Sequence, residues 1–287
     1  MKKFVKKIST FFCHLIWFFY YIRYQILGRD SDILRVIIYH DIHRTEFPFF
    51  EQQIIWLQKW WKIITPNDFH EMISGRKPIE GKNLLITFDD GFKSNYFIAK
   101  EILNPLGIKC MFFIVSDFAK ISDEFESYQF SLNRMMYKEG HNYLGRSELN
   151  MNFDELTSLI ADGHTIGAHT KTHANLAILN YDDLLIEIIS SAECLEKKLN
   201  IEIKDFAYTF GNIKRFSSNA MQIASSRYEY VYSGLRGNNS VATNKRAIRR
   251  DAINASDSLW YVGIVLLGAY DLRYKKPLVL LDTWAAN

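Results

Sequence analysis

Short apolar runs alternate along this chain with longer segments of helical spacing. Leu34 to Tyr39 (LRVIIY), Leu84 to Phe88 (LLITF) and Lys109 to Val115 are rich in β-branched or aromatic residues and too short for helices; they read as buried strands. Further strands are predicted over Lys62–Thr65, His164–Ala168, Asp205–Tyr208, Tyr230–Ser233 and Ala247–Arg250. Helical spacing runs over Phe49–Trp61, from Pro66 to a stop at Gly75, over Ser94–Leu106 and Phe153–Asp162, then over Tyr181–Leu199, Phe216–Ser225 and Asp257–Leu267. The stretch 116–150 has weak periodicity, and a segment that long without structure of its own is predicted to be functional or an insertion. Alternation of strand and helix builds a parallel sheet with crossover helices, as an open doubly wound sheet or a closed barrel. In both, chemistry gathers at the carboxyl ends of the strands, so the polar residues that directly follow the apolar runs are the candidates.

Four strands put such residues at one rim. LRVIIY is followed by His40, LLITF by Asp89-Asp90-Gly91, and HTIGA by His169 with His173 four residues on; DFAY is followed by Thr209-Phe210-Gly211. Two adjacent carboxylates at a buried strand end repel unless a cation or proton relieves them. A helix N-cap and its neighbour would explain the same pair, but Gly91 favours a sharp turn and close backbone approach to a ligand. Two imidazoles four apart can converge on one metal, although a solvated surface pair has the same spacing. Set beside Asp-Asp-Gly on another strand, they define a site of two histidines and one aspartate with positions open to water and substrate. His43 is a candidate second pocket residue, whereas His14, His70, His141 and His164 stand alone and read as structural or solvated.

Composition narrows the classes. Of 287 residues, 48% are hydrophobic and 15% aromatic, enough to build a core and to exclude disorder. A net charge of +3 with no basic stripe in the body of the chain argues against nucleic acid. Cys13, Cys110 and Cys194 are widely spaced and read as free thiols. Residues 1–30 differ in kind: four lysines precede the apolar, aromatic run Phe11–Ile22. That run is shorter than the roughly 20 residues a membrane span needs. It fits a helix on a membrane surface, a signal-peptide core without a small-residue cleavage site, or a helix packed on the domain.

These motifs resemble the polysaccharide deacetylases of the NodB-homology group, carbohydrate esterase family 4. TFDDG at Thr87–Gly91, GAHTKTH at Gly167–His173 and FAYTFG at Phe206–Gly211 are similar to that family's first three motifs, in order. IIYH at Ile37–His40 resembles the branch that includes poly-N-acetylglucosamine deacetylases, where the histidine found near the C-terminus of other members stands near the start. The resemblance implies a distorted (β/α)7 barrel over residues 31–287 that removes N-acetyl groups from an amino-sugar polysaccharide or glycolipid. It implies a divalent cation on Asp90, His169 and His173, Asp89 as general base and His40 as general acid. Tyr208 and Phe210 are the implied oxyanion or substrate contacts, while Arg249 or Arg250, at a late strand end, is a candidate to orient the base or bind substrate. Zinc suits two imidazoles and a carboxylate; cobalt, nickel or iron share the set. Thr209 stands where proline is usual, which predicts a differently shaped oxyanion loop, and VLLDTW at Val279–Trp284 does not match the family's C-terminal L-x-L-H. An O-acetyl esterase, or an inactive glycan-binding protein on the same fold, are the alternatives. With the basic aromatic N-terminus, the resemblance implies a glycan or lipid-linked sugar as partner and a membrane or cell-envelope location, the cytoplasmic face included.

Overall fold

The computed structural model describes residues 32–135 and 149–286; the N-terminal segment 1–30, Cys13, His14 and His141 lie outside them. Eight strands form one parallel sheet: β1 (Ile33–Tyr39), β2 (Lys62–Ile63), β3 (Lys82–Phe88), β4 (Met111–Ile114), β5 (Thr165–Ala168), β6 (Asp205–Ala207), β7 (Tyr230–Tyr232) and β8 (Asp251–Ala252). The order across the sheet is β7-β6-β5-β4-β3-β1-β8. One edge of β3 is shared: β2 pairs with its lower half at Asn83 and Leu84, and β4 with its upper end at Thr87 and Phe88.

The sheet curls towards closure through the segment around β8. On one side it bonds β7, through Ile248 N–H to Val231 O (3.0 Å) and Ser233 N–H to Ile248 O (2.8 Å). On the other, β8 pairs with Ile37 and Ile38 of β1. The strand expected over Ala247–Arg250 is therefore a single bridge at Ile248, followed by two paired residues further on.

Period-2 alternation sorts the side chains into two layers. Leu34 and Val36 join Leu85, Met111, Phe113, Ala207, Tyr232 and Ile248 inside the barrel. Ile33, Ile37 and Tyr39 face outward, against Phe50, Ile54 and Leu57 of helix α1 (Phe47–Trp60). Helix α2 (Pro66–Ile73) instead packs Phe69, Met72 and Ile73 on the inner cluster, and the other helices are α3 (Lys93–Ile98), α4 (Glu124–Arg134), α5 (Phe153–Ala161), α6 (Tyr181–Leu199), α7 (Ser218–Arg227), α8 (Leu259–Leu266) and α9 (Lys275–Ala286). The starts of α2 and α5 obey the sequence signals, each with a capping box: Thr65 with Asp68, and Asn152 with Glu155. The helix expected over Ser94–Leu106 widens into a π-helical turn at Ala99–Leu103.

Two helices escape the hydrophobic pattern. Within 116–150, α4 buries Ser127 and Ser131 rather than an apolar stripe, and Ser127 Oγ donates to Asn150 Oδ1 at 2.6 Å. The last helix, α9, contains the Val279–Trp284 run and packs on α7. Among the described residues no helix is long and apolar enough to cross a membrane. Cys110 is buried and Cys194 half-buried, both as free thiols.

Candidate metal and catalytic site

The carboxyl rim holds its shape by departing from ordinary backbone geometry. Among the described residues, five non-glycine residues have positive φ, and four of them are Asp90 (77°), Thr170 (64°), His173 (58°) and Phe210 (59°). Such conformations persist only where the surroundings enforce them, and they cluster at working sites. Gly91 follows Asp90 at φ 91°, with Ile114 packed 3.4 Å from where a Cβ would stand. The Asp89-Asp90 turn is tied to its neighbours by Asp89 N–H donating to Tyr39 O at 2.9 Å.

The second turn, from His169 to His173, is held from beneath by α6. Glu187 is buried there, and its carboxylate accepts Lys171 N–H, Thr172 N–H and the Thr172 hydroxyl at 3.1, 2.9 and 2.7 Å. Ser191 Oγ donates to Thr170 O at 2.9 Å, and Thr170 Oγ1 accepts His173 N–H at 3.0 Å. The spacing HTKTH therefore forms a tight loop and not a helical turn.

These turns bring Asp90, His169 and His173 together, all buried, with one donor atom from each within 4.8 Å of the others. Asp90 Oδ1 lies 3.4 Å from His169 Nε2 and 3.3 Å from His173 Nε2. Both imidazoles use Nδ1 elsewhere, His169 on Ala207 O and His173 on Arg134 O, each at 2.8 Å. A carbonyl accepts only from N–H, so each Nδ1 carries a proton, and each Nε2 is the ring atom that faces Asp90. Asp90 Oδ1 is buried with no hydrogen-bond partner. Burial pushes the Asp90 carboxyl up, but His169, His173 and then His40 outweigh it and hold the group well below the usual carboxylate range. Burial pushes His173 down, and Asp90 more than reverses this. Three converging ligand atoms, one of them a buried oxygen without a hydrogen-bond partner, fit a cation.

Asp89 is drawn away from that cluster. Arg250, fully buried, donates Nη1 to Asp89 Oδ1 at 2.7 Å and Nη2 to Oδ2 at 2.8 Å, and Nε to Ser233 O at 3.0 Å. The Phe113 and Tyr232 rings flank the guanidinium at 5.0 and 5.9 Å. Asp89 Oδ2 remains 4.0 Å from His169 Nε2.

The other expected residues divide. His40 is exposed at the rim, close enough to act electrostatically on Asp90. Phe210 sets its ring against His173, centroids 4.6 Å apart, and no acceptor among the described residues takes its N–H. Tyr208 is corrected: its ring stacks on Phe216 at 3.9 Å, its hydroxyl meets Met221 Sδ, and its N–H bonds Tyr232 O, so it belongs to the core. Arg249 is corrected too: it forks onto Asp282 of α9 at 2.7 and 3.0 Å, facing away from the barrel interior. The pairing with Asp89 belongs to Arg250, whose guanidinium lies against Phe113 and Tyr232 while that of Arg249 is on Asp282.

Of the remaining histidines, His43 caps the short helical turn that precedes α1, His70 bonds Asp205 and Tyr232, and His164 bonds Cys110 N–H and Asn104. Thr209 departs from proline with a consequence. Its hydroxyl donates to Ala174 O at 2.6 Å, next to His173, joining the two loops. Glu187 and the Arg134 carbonyl carry no motif that marks them in the sequence; a carboxylate on the apolar face of α6 is the one available signal for the first.

Comparison with known proteins gives consistent results. The polysaccharide deacetylase family profile matches residues 76–230. The Bacillus subtilis (strain 168) protein YxkH is 32% identical over 88 residues, 29% of this chain and 32% of that protein. A Streptococcus pyogenes deacetylase, PplD, solved in complex with acetate, superposes with a TM-score of 0.64 at 18% identity, over 82% of this chain and 98% of that one. IcaB from Ammonifex degensii gives 0.61 at 20% identity, over 90% and 98%. Both share the barrel described above.

Proposed function

Since the chain belongs to the polysaccharide deacetylase family, whose members generally use a divalent metal, we propose that it hydrolyses N-acetyl groups on amino sugars of a glycan, with zinc held by Asp90, His169 and His173. The donor set supports zinc. Two imidazole nitrogens and one carboxylate oxygen are ligands that zinc would take, and Asp90 Oδ1 stands 3.3 and 3.4 Å from the two imidazole nitrogens.

When bound, the cation supplies Lewis acidity to the acetyl carbonyl and the attacking water. The chain's own groups do the rest. Asp89 takes the proton from the attacking water; the Arg250 fork keeps it out of the ligand set and fixes its orientation. The Phe210 N–H is the backbone donor left to the oxyanion. His40 gives a proton to the departing amine, which is a poor leaving group without one. The observation that carries this reading is the division of labour between adjacent carboxylates: Asp90 faces two imidazoles and Asp89 one guanidinium.

The test is acetate release from N-acetylated oligosaccharides by zinc-loaded protein, with and without chelator. Asp90→Ala and His173→Ala are expected to lose both zinc and turnover. Asp89→Asn is expected to keep zinc and lose turnover; full activity in that variant would exclude Asp89 as the base.

A further inference from the structure

The loop carrying Phe210 also carries a guanidinium that nothing described so far uses. Arg215 is exposed and lies over the Phe210 ring at 5.2 Å, on the ring that rests against His173. Its backbone is anchored to the segment that holds His173, since Ala177 N–H donates to Arg215 O at 3.1 Å. Arg44, Arg76 and Arg227 pair with Glu101, Glu71 and Glu196, whereas Arg215, like exposed Arg246 and Arg273, is not paired in this way, and it differs from those two in lying at the site. Among the described residues no carboxylate pairs with Arg215. The segments on either side of the site, 170–178 and 209–217, contain no acidic residue but hold Lys171, Lys214 and Arg215.

We propose that Arg215, stacked on Phe210, recognises an oxyanion on the glycan next to the acetamido sugar, so that the substrate is an anionic polymer and not a neutral one. The inference rests on the deacetylase reading and narrows its substrate class. A guanidinium is suited to this task because its planar fork matches carboxylate and phosphate oxygens, and the ring beneath restricts its motion. Lys171 is paired with Asp117 at 2.6 Å, Asp89 with Arg250, and Asp90 faces two imidazoles, so none of these carboxylates neutralises Arg215, which is left to attract an anionic chain. A phosphodiester and a uronate carboxylate offer the same chemistry, and separate assays distinguish them.

The experiment measures kcat/KM for acetate release by the zinc-loaded full chain from three oligosaccharides of equal length. One is neutral β-linked N-acetylglucosamine, one alternates N-acetylglucosamine with glucuronate, and one joins N-acetylglucosamine through phosphodiesters. At least one anionic oligomer is expected to be preferred over the neutral one by roughly tenfold at low salt, the preference shrinking as ionic strength rises. Arg215→Gln is expected to reduce the anionic-to-neutral ratio about tenfold, and Arg215→Lys to restore part of it. Arg246→Gln, an exposed cation elsewhere, leaves the ratio unchanged. A ratio unaltered in Arg215→Gln, or a neutral preference in the wild type, overturns the proposal. Calorimetric binding of the same oligomers to zinc-loaded Asp89→Asn separates the two readings. If no oligomer releases acetate, the deacetylase reading fails, while an anionic binding preference lost in the Arg215→Gln double variant still upholds this one.

Discussion

Arg250 and Asp251 are neighbours, yet they meet opposite fates. Arg250 points into the barrel, where every bond to Asp89 is made: two parallel N–H donors to two oxygens, with Nε on a carbonyl. Asp251 points outward, under the helical layer, towards Arg35 at 3.3 Å and Arg236 at 3.7 Å. There the matching is incomplete. Asp251 Oδ1, Arg35 Nε and Arg236 Nη1 are buried without hydrogen-bond partners, and Arg35 shares its fork with Asp271. Burial lifts the Asp251 carboxyl to about 6, and the two guanidinium groups only partly oppose it. Two arginine–carboxylate clusters thus lie one peptide apart. The inner one is satisfied and aimed at the site; the outer one is strained electrostatically and concerns only the fold. A buried ion pair is not by itself a sign of function; full satisfaction at the end of a barrel strand is the distinguishing mark here.

The most severe way to break the contrast is Arg250→Met. Releasing Asp89 from its fork is expected to reduce kcat/KM by roughly 10²-fold or more, because small misplacements of a reacting group have effects of that size. It also leaves a buried carboxylate unpaired, costing about 3–5 kcal/mol of stability. Adding Asp89→Asn removes the unpaired charge, so the double variant is expected to regain stability and not activity. Denaturant midpoints with single-turnover rates decide this; a double variant as unstable as the single one would contradict the account. Arg35→Met is the outer counterpart. It is expected to cost a similar 3–5 kcal/mol by stranding Asp251, while kcat/KM of the folded enzyme stays within about twofold, since Arg35 touches nothing at the rim. A large loss of rate at full occupancy of the native state would show that the outer cluster also governs the inner one.

The outer cluster also predicts a pH dependence. In the unfolded chain Asp251 titrates near the ordinary value of 3.8, and in the fold at about 6. A carboxyl with a raised folded value favours the native state when protonated. That contribution is complete below pH 4 and is lost as pH rises through about 6, amounting to roughly 2–3 kcal/mol. Asp251→Asn cannot ionise. Whatever constant offset it carries, its stability relative to wild type is expected to climb by that amount between pH 4 and 7. Parallel stability curves across this window would mean that Asp251 is fully compensated.

How much of this was legible in sequence follows from the same contrast. The barrel strands were readable because a short apolar run that stops abruptly at a polar residue is the pattern of a buried strand reaching the rim of a sheet, and Asp89, Asp90, His169 and His173 all stand at such junctions. Arg249 and Arg250 were not separable. They lie between a single bridge at Ile248 and the two-residue strand β8, and no run of alternating residues says which one faces in. Tyr208 looked polar at a strand end, yet Phe216 and Met221 draw it into the core. Helix α4 was hidden because serines line its buried side, although its last carbonyl orients His173. What the pattern cannot express is pairing across distant segments, and the site depends on such pairs: Arg250 with Asp89, Glu187 with the HTKTH turn, Arg134 with His173.

The smallest effect expected is at Thr209, and it asks whether the satisfied inner region extends to the loops around the site. The Thr209 hydroxyl is buried and donates to Ala174 O at 2.6 Å, one residue beyond His173. Valine keeps the shape and removes the donor, leaving a carbonyl short of a partner at a cost of about 1–2 kcal/mol. Proline, which has no hydroxyl, could not make this bond either. If this bond holds His173 in its left-handed turn at φ 58°, Thr209→Val should weaken zinc binding several-fold in a chelator competition, beyond any change in melting temperature. Thr209→Ser, which keeps the hydroxyl, should restore most of that affinity. Valine and serine variants with the same zinc affinity as wild type would confine Thr209 to packing and end the satisfied region at the Asp89–Arg250 fork.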